Sequence, residues 1–489
     1  MSVRLSYVSV RSFALLVILL SSAAAAFPQG DQSSTEPAPS TPGEAVPGTQ
    51  GVSPYGGSVP VKPEPGVLQI SLQDAIERGL RQNLGALLAS ADIQSARGTR
   101  WAELSALLPH VTATPFIDES QINLAEFGFT SVKLPGFALP TSVGPFSYFD
   151  ARFGVSQSVF NWQNINNDRS ARQNLISTEY AFRDARDLVV LAVGYTYLQG
   201  IADIARVDTA QAQVDTAQAL SNQASDQVTA GTSPQIDAMR AKVELQTRQQ
   251  QLIQARNNYA IQKLTIARVI GLAPGQQYEL TDRSPYQPFE GVTLEDALKR
   301  AYASRSDYRA AVAETRAAEY ERKAARAGYL PSVSFDADYG TAGTHPSTST
   351  QVFDIKGTLT IPIFEGGSIH AEVLQADARL RQSREREENL RAQIDADVRT
   401  ALFNLQSSAD QVEVARSNIS LANETLAQSR DRFAAGVTDS VEVVQSQELV
   451  ASANEQYISS LYNFNFAKIS LARAMGIGEQ GVKEFFKGK

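Results

Sequence analysis

Residues 351–370 read Gln-Val-Phe-Asp-Ile-Lys-Gly-Thr-Leu-Thr-Ile-Pro-Ile-Phe-Glu-Gly-Gly-Ser-Ile-His, and two structural periods meet inside them. Phe353, Ile355, Leu359, Ile361 and Ile363 alternate with Asp354, Lys356, Thr358 and Thr360, which predicts a strand with one apolar and one polar face. Pro362-Ile363-Phe364-Glu365-Gly366-Gly367 ends that period, and residues 370–433 then run for 64 positions without a proline. Such a stretch predicts one helix of roughly 96 Å at ~1.5 Å per residue, far longer than a globular helix. A strand feeding directly into a very long helix is therefore the unit to be explained.

Reading upstream, Leu330-Pro331 marks a change from helix to strand, because proline cannot continue a helix. Val333, Phe335, Ala337 and Tyr339 then alternate with Ser334, Asp336, Asp338 and Gly340. The whole arrangement has a precedent earlier in the chain. Ser71-Leu72-Gln73-Asp74-Ala75-Ile76 returns as Thr293-Leu294-Glu295-Asp296-Ala297-Leu298, shifted by 222, and Leu108-Pro109 maps onto Leu330-Pro331 by the same shift. Beyond the strands the shift is 205: Ala230-Gly231 becomes Ala435-Gly436, and Ala267-Arg268 with Gly271 becomes Ala472-Arg473 with Gly476. The chain is internally duplicated. Its first copy carries about 17 additional residues, and its strand Phe149, Ala151, Phe153, Val155, Val159 alternates with Asp150, Arg152, Ser156 and Ser158. The partner strand around Val111, Ala113 and Ile117 is weaker, with Pro115 inside it.

Residues 165–228 match 370–433 as proline-free helical stretches. Seven-residue apolar lines recur in both copies: Val207, Val214 and Val228 against Val412, Leu426 and Phe433, then Leu245, Leu252, Tyr259 and Ile266 against Val450, Tyr457, Phe464 and Leu471. Sustained heptads predict coiled-coil packing. The helices turn at Ala230-Gly231-Thr232 and Ala435-Gly436-Val437, where glycine supplies the cap. The other faces are rich in Ala, Gln, Ser and Asn, a pattern that fits a solvated surface or a water-filled lumen.

Composition narrows the function. The 489-residue chain has a formal charge of −8, no cysteine, and three histidines (His110, His345 and His370) far apart in sequence. Disulfides, thiol chemistry, zinc sites of the usual type and a lipid on cysteine are excluded, and no cofactor is expected. An acidic chain also argues against a nucleic-acid partner. Arg4 and Arg11, the apolar run 13–20 and the small residues 21–26 form a secretory signal peptide, expected over 1–26. Residues 27–66 hold nine prolines and seven glycines and are expected to be a disordered tether. The remaining divisions are a first repeat over 67–271, a linker over 272–292, a second repeat over 293–478 and a tail over 479–489. No catalytic constellation has usable spacing, so an enzyme is not expected. His370 reads as a solvent-facing helix-start residue, and Asp395 and Asp397 read as a wetted helix face.

Strands of ten to twelve residues with one apolar face suit a half-buried sheet or a transmembrane barrel. Four such strands cannot close alone, and open edges cannot sit in lipid, because each unpaired backbone group costs several kcal/mol there. Membrane insertion would thus require at least a dimer, and a trimer would supply twelve strands.

The duplicated Leu-Pro strand starts, the Pro362–Gly367 junction with its first-copy counterpart Phe160-Asn161-Trp162-Gln163, and the paired Ala-Gly hairpins together resemble the TolC family of outer-membrane efflux proteins, over about residues 68–478. The resemblance implies an α+β membrane protein: a homotrimer whose four strands per chain make a 12-stranded β-barrel in outer-membrane lipid, continued by a long α-helical coiled-coil barrel through the periplasm. It implies an exit duct for an efflux or type I secretion system, fed by an inner-membrane RND or ABC exporter through a periplasmic membrane-fusion adaptor. In that family the hairpin tips meet the adaptor and close the tunnel, which singles out 227–237 and 432–442 with Ala230, Gly231, Thr232, Ala435, Gly436 and Val437. Family carboxylates after the second tip ring the tunnel. Glu442 matches the first of them, the second is replaced by Gln445, and Asp439 is a substitute. Pro362, Phe364, Gly366 and Gly367 mark the strand-to-helix junction. Without cysteine, the hold on the membrane would come from the barrel. Phe127, Phe129, Phe137, Phe146, Tyr148 and Phe149, in or beside the first-copy insertion, suit an interfacial belt or an extracellular loop. The competing expectation is a soluble periplasmic coiled-coil scaffold or adaptor, which would lack two membrane-length amphipathic strand pairs.

Overall fold

The computed structural model describes residues 54–128, 140–282, 289, 291–438 and 440–485. The expected signal peptide, the tether as far as residue 53, Asp439, Phe129 and Phe137 lie outside the described residues. The first copy contains β1 (Leu68–Ile70), α1 (Leu72–Gln82), α2 (Leu84–Ser105), β2 (His110–Asn123), β3 (Ser142–Phe160), α3 (Trp162–Thr229), α4 (Gln235–Ile270) and β4 (Tyr278–Leu280). The second contains α5 (Leu294–Ser304), α6 (Ser306–Ala327), β5 (Ser332–Gly343), β6 (Thr350–Thr360), α7 (Ser368–Ala434) and α8 (Ser440–Ala474), followed by α9 (Gly478–Phe485). The duplicated Ser/Thr-Leu-x-Asp-Ala motif is a helix start in both copies. The Ser71 and Thr293 hydroxyls accept from the backbone N–H of Asp74 and Asp296, each at 3.2 Å.

Strands β2-β3-β5-β6 form one antiparallel sheet in that order. Its register sorts the sequence alternation onto two faces. Val111, Val155, Ala337 and Ile355 share a row, as do Ala113, Phe153, Tyr339 and Phe353. The opposite face carries His110, Ser156, Asp336 and Lys356, then Thr112, Gly154, Asp338 and Asp354. The apolar rows face outward and uncovered: Phe353 is 72% exposed and Val111 68%. On the polar face Arg152 bridges Asp150 (2.7 Å) and Asp338 (2.9 Å), while the Tyr148 hydroxyl donates to Asp150 (2.9 Å). The weak strand with Pro115 pairs along its β3 side from His110 to Asn123, with one register shift between Ser120 and Ile122. It is an edge strand, where a missing N–H is tolerated.

Helices continue the strands in the same order. Next to the sheet α2 packs on α3, α3 on α6 and α6 on α7; toward the hairpin turns α4 packs on α3, α3 on α8 and α8 on α7. The two strand-to-helix junctions are capped differently. Gly366 (φ 61°) and Gly367 (φ 89°) turn the chain into α7 without a side-chain cap, and Ile363 and Phe364 stand exposed beside them. In the first copy the Asn161 side chain caps α3 by accepting from Gln163 N–H (2.9 Å), so no glycine pair is needed.

Three expectations need correction. Residues 54–66 are not a free tether: Tyr55 packs against the core, and Val59 and Val61 N–H bond to Gln82 and Gly271 carbonyls. The 272–292 linker contains β4, which pairs in parallel with β1 through Leu68, Gln69 and Ile70. The 479–489 tail begins inside α9, whose Val482 is buried. All three gather at mid-length of the long helices, forming a belt around Val189, Val190, Val193, Tyr197, Ile266 and Ile469. This belt explains the apolar stretch of α3, the described helix long and apolar enough to cross a membrane. Half of that stretch is buried, with Val189, Val190, Val193, Tyr197 and Leu198 in the core.

The belt also contains charge. Arg473 of α8 pairs with Asp184 of α3, Arg186 of α3 with Glu479 of α9 (2.8 Å), and Arg305 with Asp307 (2.6 Å) and Asp397 (2.9 Å). Burial raises the Asp187 carboxyl from 3.8 to about 6; Arg473 and the Glu479 N–H oppose that shift, while Asp184 and the Glu479 carboxylate reinforce it. A carboxyl with a raised folded value contributes stability that is full below 3.8 and is lost as pH rises through about 6. The detergent-solubilised protein should therefore melt higher at about pH 5 than at about pH 7.5, and Asp187→Asn should shrink that difference. An undiminished difference in the variant would remove Asp187 as its source.

Candidate functional site at the hairpin tips

The two tips repeat one backbone solution. Ala230 and Ala435 end α3 and α7 in right-handed geometry, then Gly231 (φ 71°) and Gly436 (φ 70°) take the left-handed conformation that L side chains resist. Thr232 N–H returns to the Gln227 carbonyl (2.9 Å), and Val437 N–H to that of Arg432 (3.0 Å). These are Schellman caps that close each long helix. Behind them Leu220, Ala224, Ala241, Leu426, Phe433 and Val443 form a small core shared by α3, α4, α7 and α8. The two hairpins of a chain are thus packed together at their ends.

Glu442 sits in the first turn of α8, about one third exposed, and has partners. Arg432 of α7 meets its Oε1 at 3.1 Å, and the Thr438 hydroxyl donates to its Oε2. Gln445 is exposed and lines a groove of about 420 Å³ with Ile236, Met239 and Val243 of α4 and Val441 and Val444 of α8. Glu442 thus has a compensating arginine within its own chain.

Sequence reasoning overlooked Asp237. The 205-residue shift maps it onto Glu442, and Ser233 onto Thr438. The geometry repeats: Ser233 donates to Asp237 at 2.9 Å. Asp237 is buried, and its other oxygen accepts from Ser440 of the second hairpin at 2.8 Å. Higher up, Arg248 of α4 is 2% exposed and bonds Glu244 (2.6 Å), Gln251 (3.0 Å) and, across to α8, Glu448 (2.7 Å). Further up still, Arg206 of α3 forks onto Glu455 of α8 at 2.8 and 3.0 Å. Nothing in the heptad pattern marks Arg248 or Arg206 as links, because the partners that join them to α8, Glu448 and Glu455, come from the other repeat. These links, at Asp237, Arg248 and Arg206, tie the tip half of the first hairpin to α8.

A sheet with one uncovered apolar face and two open edges, set on a helical shaft whose two hairpins are bonded together near their tips, fits a subunit of a membrane-spanning duct. A soluble scaffold has no use for the uncovered rows of Val111, Phe153 and Phe353. The sequence model described as outer membrane efflux protein matches residues 77–272 and 297–477. The chain belongs to this family and is an outer-membrane efflux channel. It is 25% identical over 342 residues to the pyoverdine export outer membrane protein OpmQ of Pseudomonas putida, covering 68% of this chain and 71% of that one. It is 25% identical over 325 residues to the cation efflux system protein CusC of Escherichia coli K12, covering 64% and 69%. In fold it resembles the crystal structures of CusC (TM-score 0.71, 20% identity, 86% and 97% covered) and of the Campylobacter jejuni CmeC outer membrane channel (0.73, 15%, 89% and 94%).

Removing one partner of a buried ion pair costs about 3–5 kcal/mol. Arg248→Met should therefore raise amide hydrogen exchange in residues 227–251 and 432–448 by about two orders of magnitude at the tips, leaving the belt protected. Equal exchange in both regions would show that Arg248 does not hold the tips.

Proposed function

We propose that three copies of the chain close into an exit duct for small-molecule export, with the sheet edges paired in outer-membrane lipid and the helical shaft reaching into the periplasm. The reading rests on one observation about the duplication. Leu198 of α3 and Ile458 of α8 line one groove between those helices, and both are buried. Their repeat mates, Phe403 of α7 and Ile253 of α4, are each 69% exposed. The contact made once within the chain thus has a second, unfilled version on its two outer helices. Filling it requires α7 of one chain to meet α4 of the next, a head-to-tail contact that closes into a ring. The same step brings β6 to the neighbour's β2, which satisfies the backbone groups that lipid cannot. Other exposed apolar side chains lie on these edges too: Leu88 and Trp101 on α2, Ile261 and Leu264 on α4, Val414 and Leu421 on α7.

The hairpin tips, with their turns at Gly231 and Gly436, receive a periplasmic membrane-fusion adaptor coupled to an inner-membrane RND or ABC exporter. OpmQ and CusC are the relatives that favour an efflux duct over a protein-secretion duct. The tips rest closed through the links at Asp237, Arg248 and Arg206, and adaptor docking exchanges those links for new ones. At the mouth, Glu442 supplies three like charges held back by Arg432.

Two experiments test this. The chain has no cysteine, so a double Ile253→Cys, Phe403→Cys variant reports cleanly. A short bismaleimide should yield covalent dimers and trimers and nothing larger; a ladder stopping at dimer, or no crosslink in membranes, contradicts the ring. In planar bilayers Glu442→Gln should raise single-channel conductance and weaken divalent-cation block, whereas Arg432→Gln should increase cation selectivity. Conductance and block unchanged in Glu442→Gln would remove that carboxylate from the mouth.

A further inference from the structure

A cavity of about 810 Å³ lies between α3, α8 and the end of β4, within the size range of small-molecule sites. It is separate from the tips: Asp208, at its lower end, is 21 residues from the end of α3, roughly 30 Å at ~1.5 Å per residue. Its walls are of three kinds. Leu198, Ile201 and Leu461 give an apolar floor, and Tyr457 presents an aromatic ring. Asp208 and Asp282 supply carboxylates, and among the described residues no lysine or arginine lines the space. Asn465 is the informative residue. It is 3% exposed and lines the cavity, and no side-chain hydrogen bond joins it to another described residue. A largely buried amide favours a hydrogen-bond partner supplied from the cavity side. Asp282 is already occupied on one oxygen, which accepts from Leu72 N–H (2.6 Å) and the Tyr197 hydroxyl (2.9 Å). Asp208 is exposed at the rim with its carboxylate unengaged among the described residues.

We propose that this cavity binds an organic cation with a flat, apolar body. The body lies on Leu198, Ile201 and Leu461 against the Tyr457 ring, which favours positive charge on its face. The cationic nitrogen donates to Asp208, and a donor further along the molecule reaches the Asn465 amide oxygen. An anion is disfavoured because two carboxylates face the space and none of its described lining residues is cationic. Inorganic cations are poorly served, since the walls offer few oxygen ligands close together.

The test uses the assembled protein in detergent, with rhodamine 6G as probe and fluorescein as its anionic counterpart. Fluorescence anisotropy should show saturable rhodamine 6G binding with a Kd on the order of 10 µM, and none for fluorescein. Asp208→Asn, at an exposed position, should weaken binding about tenfold, and Ala205→Phe, which fills the cavity from α3, should abolish it. Asn465→Leu should also weaken binding; should that variant fail to assemble, the other two still decide the question. Binding that is unsaturable, equal for the two dyes, or unchanged in Asp208→Asn and Ala205→Phe would be micelle partition and would overturn the assignment.

Discussion

The constraint on which the rest of the structure depends is the hydrogen-bonding demand of a strand edge in lipid. Four strands in the order β2-β3-β5-β6 satisfy their inner pairings and leave β2 and β6 each with one unpaired side. In water such an edge is a liability; within hydrocarbon it is forbidden. A chain whose outer rows are Phe153, Tyr339 and Phe353 cannot retreat into water either. On the proposed reading, the chain is a sector of a ring that a neighbour completes. Each strand then passes its position to a helix, so that sheet order and helix order coincide.

Duplication makes this economical. One helical hairpin, copied, gives two similar packing surfaces per chain, one satisfied internally and one offered outward. The copies have since diverged where their roles differ. Asp237 is buried and joins the two hairpins, while its mate Glu442 is partly exposed and paired with Arg432. Arg248 has no arginine mate, because position 453 is alanine. The links at the tips are thus asymmetric between the two hairpins.

Much of the architecture is legible in the chain. Proline-free heptads and the 222- and 205-residue shifts locate the long helices to within about three residues, while period-two alternation finds the strands more loosely: β3 starts at Ser142, well before Phe149, and β6 ends at Thr360, short of Ile361 and Ile363. The belt is not legible for a physical reason. Strands β1 and β4 are three residues each and pair across more than 200 positions, and α9 is a single short amphipathic helix, so none produces a periodic signal. The same holds at the tips. Glycine turns announce themselves because only glycine fits a positive φ, whereas Arg248 and Asp237 acquire meaning only from Glu448 and Ser440 on the other repeat. Long-range polar pairs leave no local trace.

The central claim is closure by three copies, and stoichiometry in a lipid-like environment tests it most directly. Native mass spectrometry of the protein extracted from outer membranes should give a single species of three chains that persists as detergent is stripped. A dominant monomer or dimer under those conditions would contradict the account, because neither can satisfy the edges of β2 and β6 in a barrel of twelve strands.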